Sequence, residues 1–492
     1  MDAWSTNAAR RLSDLVRFPT VAQESKFAGA CPGWPLSRAE TFRRAAAYLR
    51  GWLAPIAASV VLQDVLIDGE TLPNVWARIP GRDSSRAVLL EGHYDVVALG
   101  GDFSPSLSAG SDELLGRGTS DMKGGLVSGI LALEEMVCAG RPPRLDTYLL
   151  MTCEEEVVVA GAQEFLKHRL DWWDTLELAI VLEPTVEPGR FEIATRHPGD
   201  SSLHMSVPVP PAGTSERWIE LTIRTGETPH ASREPAYFDP NFALLHALHR
   251  LPDPVVAFIH TDRPIDKEAN ALSAYATALI DADEDLVREA CREAIEEGMA
   301  GLEDDARRDY ARERLCVEIA PAAGSRPAFR VAGFVRALVE LKRQVTDRRY
   351  TNALYARTPC AVAILDVQGG TARAKVDVRT DDRLFDDMAR IAGADRFPGW
   401  TIVRWGDPGL EQPGIEETTP FRRFCDCCRR SYPNAVTAAH SGWTEAALLS
   451  KGLGVPVVIA GPGRTEWAHK KEERIALSDM KAVRSILQGF LA

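Results

Sequence analysis

Thr147-Tyr-Leu-Leu-Met-Thr152 is an apolar run that leads into three consecutive carboxylates and then into a helical pattern at Gly161. Further β-rich or apolar runs lie on both sides of this stretch. Residues 86–90 precede a helix that begins near Gly124, and residues 178–182 form a further apolar run. Strands that alternate with helices predict an α/β fold with a doubly wound, mostly parallel sheet. Polar residues that follow such strands are expected to meet at one edge of the sheet.

The α/β pattern is interrupted in the middle of the chain. Residues 207–215 are rich in Pro and Gly and are typical of a linker, and residues 281–315 are densely charged with a helical pattern. A chain of 492 residues is expected to form more than one domain. We therefore predict an α/β domain made of residues 1–212 and 410–492, interrupted by an inserted α+β domain of residues 213–409.

The composition limits the kinds of partner. The chain has 57 basic and 70 acidic residues, a net charge of −13, which speaks against nucleic acid or an anionic membrane as a partner. We see no secretory signal and no apolar run long enough to span a bilayer. Nine cysteines without a regular spacing favour reduced thiols in the cytoplasm. The cluster at Cys425, Cys427 and Cys428 lacks the second ligand pair of a typical metal site.

Side chains that can bind metal ions follow several predicted strands. They are histidines and carboxylates at His93, Asp121, Glu154–Glu156, Glu183 and His469. Imidazole and carboxylate groups suit zinc, and two-metal hydrolases use ions about 3.5–4 Å apart. Asp95, two residues after His93, is placed to orient that imidazole through its other nitrogen. Each residue alone has an ordinary explanation, such as a solvated loop, but their coincidence in one sheet predicts a centre with two metal ions.

Five sequence blocks occur in a fixed order in the α/β part. They are His93-Tyr-Asp95, Gly116-Arg-Gly-Thr-Ser-Asp121-Met-Lys-Gly-Gly125, Glu154-Glu-Glu156, Glu183-Pro-Thr185 and Gly461-Pro-Gly-Arg-Thr-Glu-Trp-Ala-His469. Together these blocks resemble the M20 metallopeptidase family, which includes acetylornithine deacetylase, succinyl-diaminopimelate desuccinylase and glutamate carboxypeptidases. The resemblance covers residues from about 10 to 200 and from about 415 to 485. It implies a metal-dependent hydrolase that cleaves an amide bond.

The resemblance also implies a role for each metal-binding side chain. The ligands of one metal would be His93 and Glu183, those of the other Glu156 and His469, with Asp121 bridging the two. Asp95 would support His93. The implied cofactor is a pair of divalent metal ions, zinc in the first place, with cobalt and manganese also compatible with nitrogen and oxygen ligands.

The three consecutive glutamates allow two alignments with the family. The family has a glycine five residues after its Glu-Glu pair, and Gly161 lies five residues after Glu156. This spacing favours Glu155 as the general base and Glu156 as the ligand. The alternative alignment, one residue earlier, makes Glu154 the base and Glu155 the ligand.

The inserted domain resembles the lid and dimerisation domain of the family. His230 lies in a segment whose histidine would reach across a homodimer and stabilise the oxyanion in the partner subunit's active site; an ordinary surface histidine is the alternative. Arg379, in Asp377-Val-Arg379, would bind a carboxylate of the substrate, although a salt bridge within the strand explains it nearly as well. Residues 250–360 are longer and more helical than a typical lid, and the Asn-x-Ile-Pro stretch that precedes the Asp-x-Arg strand in the family is absent.

The predicted function is hydrolysis of an amide C–N bond in a small N-acyl amino acid or peptide-like substrate. Two alternatives stay open. The same site can hydrolyse a C–N bond outside a peptide-like amide, such as that of an aryl amine or amide. The chain can also be a non-catalytic binding protein of this fold, but such a relative is expected to have lost a ligand or the base, and all six positions are filled.

Overall fold

In a computed structural model of the protein, the residues described are 2–22, 24–67, 69–98, 103–108, 110–229, 236–265, 272–302, 304–346, 358–380, 382–393 and 395–492. The chain divides into a first unit, Met1–His197 with Leu410–Ala492, and a second unit, Pro198–Gly409. Among the described residues, no helix combines the length and the apolar character that crossing a bilayer requires.

The helices and strands follow one another along both units. In chain order, the helices are α1 (Ala3–Val16), α2 (Glu24–Ala30), α3 (Arg38–Leu53), α4 (Gly124–Cys138), α5 (Ala160–Lys167), α6 (Pro240–Arg250), α7 (Glu284–Ala300), α8 (Asp305–Arg314), α9 (Ala332–Val345), α10 (Asp382–Ile391), α11 (Thr419–Ser431), α12 (Ala446–Leu453) and α13 (Leu477–Leu491). The strands are β1 (Ser59–Ile67), β2 (Glu70–Ile79), β3 (Asp83–His93), β4 (Ser106–Leu107), β5 (Glu113–Leu115), β6 (Leu145–Thr152), β7 (Leu176–Pro184), β8 (Val186–Glu187), β9 (Arg190–Arg196), β10 (Gly199–Pro208), β11 (Pro211–Arg224), β12 (Val255–Thr261), β13 (Tyr275–Ile280), β14 (Cys316–Arg330), β15 (Cys360–Gln368), β16 (Thr371–Thr380), β17 (Thr401–Trp405), β18 (Val436–Ala439), β19 (Val457–Gly461) and β20 (Arg474–Ala476).

The first unit is built on a sheet with the strand order β1-β2-β6-β3-β7-β19-β9-β18. The central strands β6, β3, β7 and β19 are parallel neighbours. β1 and β2 are antiparallel at one edge, and β9 pairs antiparallel with β19 and parallel with β18. The predicted α/β class with a mostly parallel sheet is confirmed.

The central strands are apolar without interruption because both of their faces are buried. In β3, Val88 and Leu90 pack into a core shared with α1, α3, α4 and α13. The alternate residues Ala87 and Leu89 pack into a second core with α5 and α12. Since successive side chains of a strand point to opposite faces, such a strand needs a helix layer on each side. The sheet of the first unit is therefore doubly wound.

The second unit has the α+β character expected of the insertion. Its sheet has the order β13-β11-β14-β12-β15-β16-β10-β17, and the described pairings are antiparallel. Helices α6, α7, α9 and α10 share one hydrophobic core with these strands. The charged stretch of residues 281–315 forms α7 and α8, and α7 begins after the N-cap Asp283, whose side chain accepts a hydrogen bond from the N–H of Asp285.

The interpretation of residues 207–215 as a linker is wrong. β10 ends at Pro208 and pairs with β16, and β11 begins at Pro211 and pairs with β14. Proline is tolerated at strand ends because no ladder hydrogen bond from its nitrogen is needed there, so the composition imitates a linker. Both strands belong to the second unit, which begins at Pro198, whereas the sequence placed its start at residue 213. The chain returns to the first unit at Leu410.

Candidate metal centre

His93 is the last residue of β3 and faces two carboxylates. Its Nε2 atom lies 3.2 Å from Oδ1 of Asp121 and 3.3 Å from Oε1 of Glu183. Glu183 belongs to β7, the parallel neighbour of β3. Because parallel strands end at the same edge of the sheet, β3 and β7 bring these side chains together. His93, Asp121 and Glu183 form one group with the spacing of metal ligands.

Asp121 also belongs to a second group, with Glu156 and His469. The Nε2 atom of His469 lies 2.9 Å from Oε2 of Glu156 and 3.2 Å from Oδ2 of Asp121. Asp121 thus turns one carboxylate oxygen towards His93 and the other towards His469. This is the arrangement expected of a ligand that bridges two metal ions.

The turn that carries Asp121 depends on glycines. Gly118 has φ +86°, a left-handed conformation that favours glycine. A side chain on Gly125 would place its Cβ 2.1 Å from the backbone oxygen of Leu182. Gly125 therefore permits the N-terminal turn of α4 to approach β7 next to Glu183, which brings Asp121 to the end of that strand.

The three consecutive glutamates have three different surroundings. Glu154 is buried and forms an ion pair with Arg38 of α3. Glu155 places Oε2 3.7 Å from Nε2 of His93, and Glu156 belongs to the second ligand group. Among the described residues, neither ligand group includes Glu154 or Glu155.

Asp95 holds the backbone of this glutamate segment. The backbone N–H of Glu155 donates to Oδ1 of Asp95 and that of Glu156 donates to Oδ2, each at 3.1 Å. The imidazole of His93 has its Nδ1 atom 3.1 Å from the backbone oxygen of Asp95 and 3.5 Å from its carboxylate. The ring is thus oriented chiefly by the backbone carbonyl, and the carboxylate that the sequence assigned to His93 mainly serves Glu155 and Glu156.

Burial and mutual repulsion shift the pKa values of these groups. Burial, reinforced by the charge of Asp121, raises the pKa of Glu183 to about 7. Burial also raises the pKa of Glu155, with the nearby His93 opposing. Burial alone would raise the pKa of Asp121. Hydrogen bonds from His469 and His93 outweigh burial, so the pKa of Asp121 is lowered.

The donor set fits a pair of divalent cations. Several carboxylates are buried within a few ångströms of one another, and the ionised state of Glu155 and Glu183 is disfavoured in the protein alone. Buried charges of one sign need compensation by opposite charge, which one cation in each ligand group would supply. The nitrogen and oxygen ligands suit zinc, cobalt or manganese.

Residues 89–492 match the family model of Peptidase family M20/M25/M40. The chain belongs to this family. The predicted family is confirmed. Because peptidases are hydrolases, the prediction that the chain is a hydrolase is confirmed as well.

Curated relatives match only a limited part of this M20/M25/M40 family member. Succinyl-diaminopimelate desuccinylase of Paracidovorax citrulli (strain AAC00-1) is 33% identical over 148 residues, 28% of this chain and 38% of the relative. The enzyme of the same name from Delftia acidovorans (strain DSM 14801 / SPH-1) is 35% identical over 127 residues, 24% of this chain and 32% of the relative. The chain therefore matches about a third of the length of these relatives.

Solved structures resemble the chain over nearly its whole length. The aminoacylhistidine dipeptidase of Vibrio alginolyticus has a TM-score of 0.61 at 15% identity and covers 97% of this chain and 95% of its own. An M20 family metallo-carboxypeptidase of Sulfolobus solfataricus has a TM-score of 0.58 at 17% identity and covers 100% and 99%. At sequence identities of 15% and 17%, this similarity shows a shared fold alone.

Two residues predicted for the site lie in the second unit. His230 falls outside the described residues. Arg379, in β16, is buried and places Nε and Nη2 3.1 and 3.2 Å from the two carboxylate oxygens of Asp377. Burial raises the pKa of Asp377 to about 6, and Arg379 opposes this shift. The roles of His230 in catalysis and of Arg379 in substrate binding stay predictions.

A carboxyl pair beside the centre was not predicted. Glu91 lies in β3 and Glu445 precedes α12, and both are buried. The hydroxyl of Thr152 donates to Oε2 of Glu445 at 2.6 Å and lies 3.4 Å from Oε1 of Glu91. Burial, followed by the repulsion of Glu445, raises the pKa of Glu91. The sequence contains no local pattern that links Glu445 to Glu91.

Cys425, Cys427 and Cys428 are buried free thiols in α11. Among the described residues, the groups with metal-ligand spacing do not include them.

Proposed function

We propose that the chain is a dinuclear metal-dependent hydrolase that cleaves the amide C–N bond of a small N-acyl amino acid or peptide-like substrate. The observation that carries the proposal is the pair of ligand groups that share Asp121, with Glu155 beside them. Membership of a peptidase family supports hydrolysis of an amide. The names of the relatives, a desuccinylase and a dipeptidase, support a small substrate.

In the proposed centre, each side chain has one role. His93 and Glu183 would hold one cation, Glu156 and His469 the other, and Asp121 both. Two bound divalent cations acidify water and polarise a carbonyl group. Zinc is the proposed metal, and cobalt and manganese suit the same donor atoms.

Glu155 is the proposed general base. Its carboxylate lies next to His93 and belongs to neither ligand group, so its oxygens are available for proton transfer. It accepts a proton from the attacking water and delivers it to the leaving nitrogen. Asp95 fixes the backbone N–H of Glu155 and thereby limits where this carboxylate can lie.

The second unit is proposed to complete the site in a homodimer of a cytoplasmic protein. His230 of one subunit would stabilise the oxyanion in the other. Arg379 would bind a carboxylate of the substrate, and because Nε and Nη2 already donate to Asp377, other N–H groups of the guanidinium would have to do so. The ion pair itself favours the structural interpretation of Arg379.

The test of the proposal compares neighbouring glutamates. Glu155→Gln should retain two metal ions per chain and lose about 10²- to 10⁴-fold in turnover, the usual contribution of a general base. Glu156→Gln should instead lose one metal ion. Metal analysis of the purified proteins and a hydrolysis screen of N-acyl amino acids, dipeptides and aryl amides provide the measurements.

Each outcome assigns the site. Wild-type turnover in Glu155→Gln excludes it as the base. Loss of a metal in Glu155→Gln together with loss of turnover in Glu154→Gln supports the alignment one residue earlier. Hydrolysis of aryl amides alone supports the non-peptide alternative, and two bound metals without any hydrolysis support a binding protein.

A further inference from the structure

A buried ion pair joins the two loops that carry Asp121 and His469. It is formed by Arg117, four residues before Asp121, and Glu473, four residues after His469. Both side chains are buried. We propose that Glu473 and Arg117 are positioning residues, which fix the bridging ligand Asp121 relative to His469. The inference rests on the proposed metal centre and is independent of the substrate.

Glu473 acts directly on the backbone of the bridging ligand. Its Oε1 atom accepts hydrogen bonds from the backbone N–H groups of Ser120, at 2.9 Å, and of Asp121, at 3.0 Å. Its other oxygen accepts the hydrogen bond from Arg117. Fixing the N–H of Asp121 fixes the plane of the peptide group before its Cα and thereby restricts the direction in which the carboxylate leaves the backbone.

Arg117 acts on the other loop. Its guanidinium donates to Glu473 and also, at 3.0 Å, to the backbone oxygen of Lys470, the residue after His469. His469 has φ +61°, which is uncommon for a residue other than glycine and persists only where the surroundings hold it. The guanidinium thus holds the backbone next to a ligand in this conformation.

Further hydrogen bonds bring the two loops together without touching the ligands. The N–H of Gly116 donates to the backbone oxygen of Glu473 at 2.9 Å, and β5 pairs with β20. The hydroxyl of Ser120 accepts from the N–H of Arg464 at 3.1 Å. These contacts can keep the loops in place after the Glu473 side chain is changed, which separates ligand positioning from folding.

A buried ion pair is by itself a weak source of stability, because desolvation of both charges offsets their attraction. The carboxylate of Glu473 accepts a hydrogen bond from the N–H of the proposed ligand Asp121. Replacing Glu473 is therefore expected to change the affinity for metal ions. Mutation of a residue that orients a metal ligand typically lowers the metal affinity by about 10- to 100-fold. Glu473→Gln keeps the size of the side chain but turns an N–H₂ group towards Arg117 or towards the N–H of Asp121.

The experiment titrates metal-free full-length protein with Zn²⁺ in competition with a chelator of known affinity. We expect Glu473→Gln to bind at least one of the two zinc ions about 10- to 100-fold more weakly than the wild type. The matched control is Asp146→Asn. Asp146 is also buried, accepts a backbone N–H, from Gly81 at 2.8 Å, and pairs with an arginine, Arg78, but it lies near the start of β6, away from the ligands.

The control should bind both zinc ions as the wild type does. Wild-type affinities in Glu473→Gln, or an equal loss in Asp146→Asn, would overturn the inference. If Glu473→Gln does not fold, Arg117→Lys takes its place: it keeps the charge but cannot contact Glu473 and the Lys470 carbonyl with the same fork, and wild-type zinc affinities in it overturn the inference. A wild type that binds two zinc ions and hydrolyses no amide defeats the proposed function alone, since the titration uses no substrate.

Discussion

Asp95 offers a test of how the base and one ligand are held together. Its two carboxylate oxygens accept the N–H groups of Glu155 and Glu156 at 3.1 Å each. In Asp95→Asn, one oxygen becomes an N–H₂ group that faces one of these donors. The hydrogen bond between His93 and the backbone oxygen of Asp95 does not depend on the side chain.

The expected loss follows from these contacts. One hydrogen bond to a charged acceptor disappears and the other becomes a bond to a neutral amide. A hydrogen bond to a charged group contributes about 1.5–3 kcal/mol. If this loss appears as displacement of Glu155 in the transition state, turnover falls about ten- to 150-fold, since about 1.36 kcal/mol corresponds to a factor of ten.

The assay combines turnover on the substrate found by the screen with zinc stoichiometry after dialysis. If Asp95 acts through Glu156, the double variant Asp95→Asn/Glu156→Gln binds as much zinc as Glu156→Gln alone. If it acts through His93, the double variant loses the remaining ion, and our interpretation of the geometry is refuted. Asp83→Asn is the control, because Asp83 accepts the N–H of Ser85 at the other end of β3 and should change neither quantity.

Two further predictions concern stability. Removal of metal by a chelator should lower the unfolding temperature and added Zn²⁺ should raise it. Glu183→Gln should raise the unfolding temperature of the metal-free protein above pH 7, because burial raises the pKa of Glu183 to about 7 and its ionised form is therefore disfavoured in the fold. Differential scanning fluorimetry measures both effects; a metal-free wild type as stable as the loaded one contradicts the first, and a Glu183→Gln variant less stable than the metal-free wild type contradicts the second. Burial, followed by the charge of Lys375, lowers the pKa of His204 from 6.5 to about 4. Between these two pH values the unfolded chain binds a proton at His204 more readily than the folded chain does. The stability that the neutral ring contributes is therefore complete above pH 6.5 and is lost as the pH falls towards 4. The phenylalanine in His204→Phe can still pack on Trp405. As the pH falls from 6.5 to 4, the unfolding temperature of this variant should therefore rise relative to that of the wild type. Parallel plots of unfolding temperature against pH for the two proteins would disprove the lowered pKa of His204.

The grouping of the candidate metal-binding residues could be predicted because their signals are local. His93 and Glu183 come at or near the ends of apolar runs, and Asp121 lies between glycines that its turn requires. The order of these blocks also resembles one family, which supplied roles that no single block carries. The central strands were predictable for the same reason, since their apolar runs reflect burial on both faces.

The contacts that hold the ligands could not be predicted in this way. Glu473 and Arg117, or Glu154 and Arg38, are far apart in the chain and meet only after folding. No periodicity relates such pairs. The strands around Pro208 and Pro211 were missed because composition suggests a connection, whereas their partners β16 and β14 make them part of a sheet.

The position of β19 bears on the biosynthesis of the molecule. β19 lies between β7 and β9 in the sheet, but the ribosome makes it after the whole of the second unit, Pro198–Gly409. Until then, β7 emerges with the backbone groups of one edge unpaired, and such edges invite association with other chains. His469 follows β19, so a nascent chain can acquire its second ligand group only after the long insertion has been synthesised.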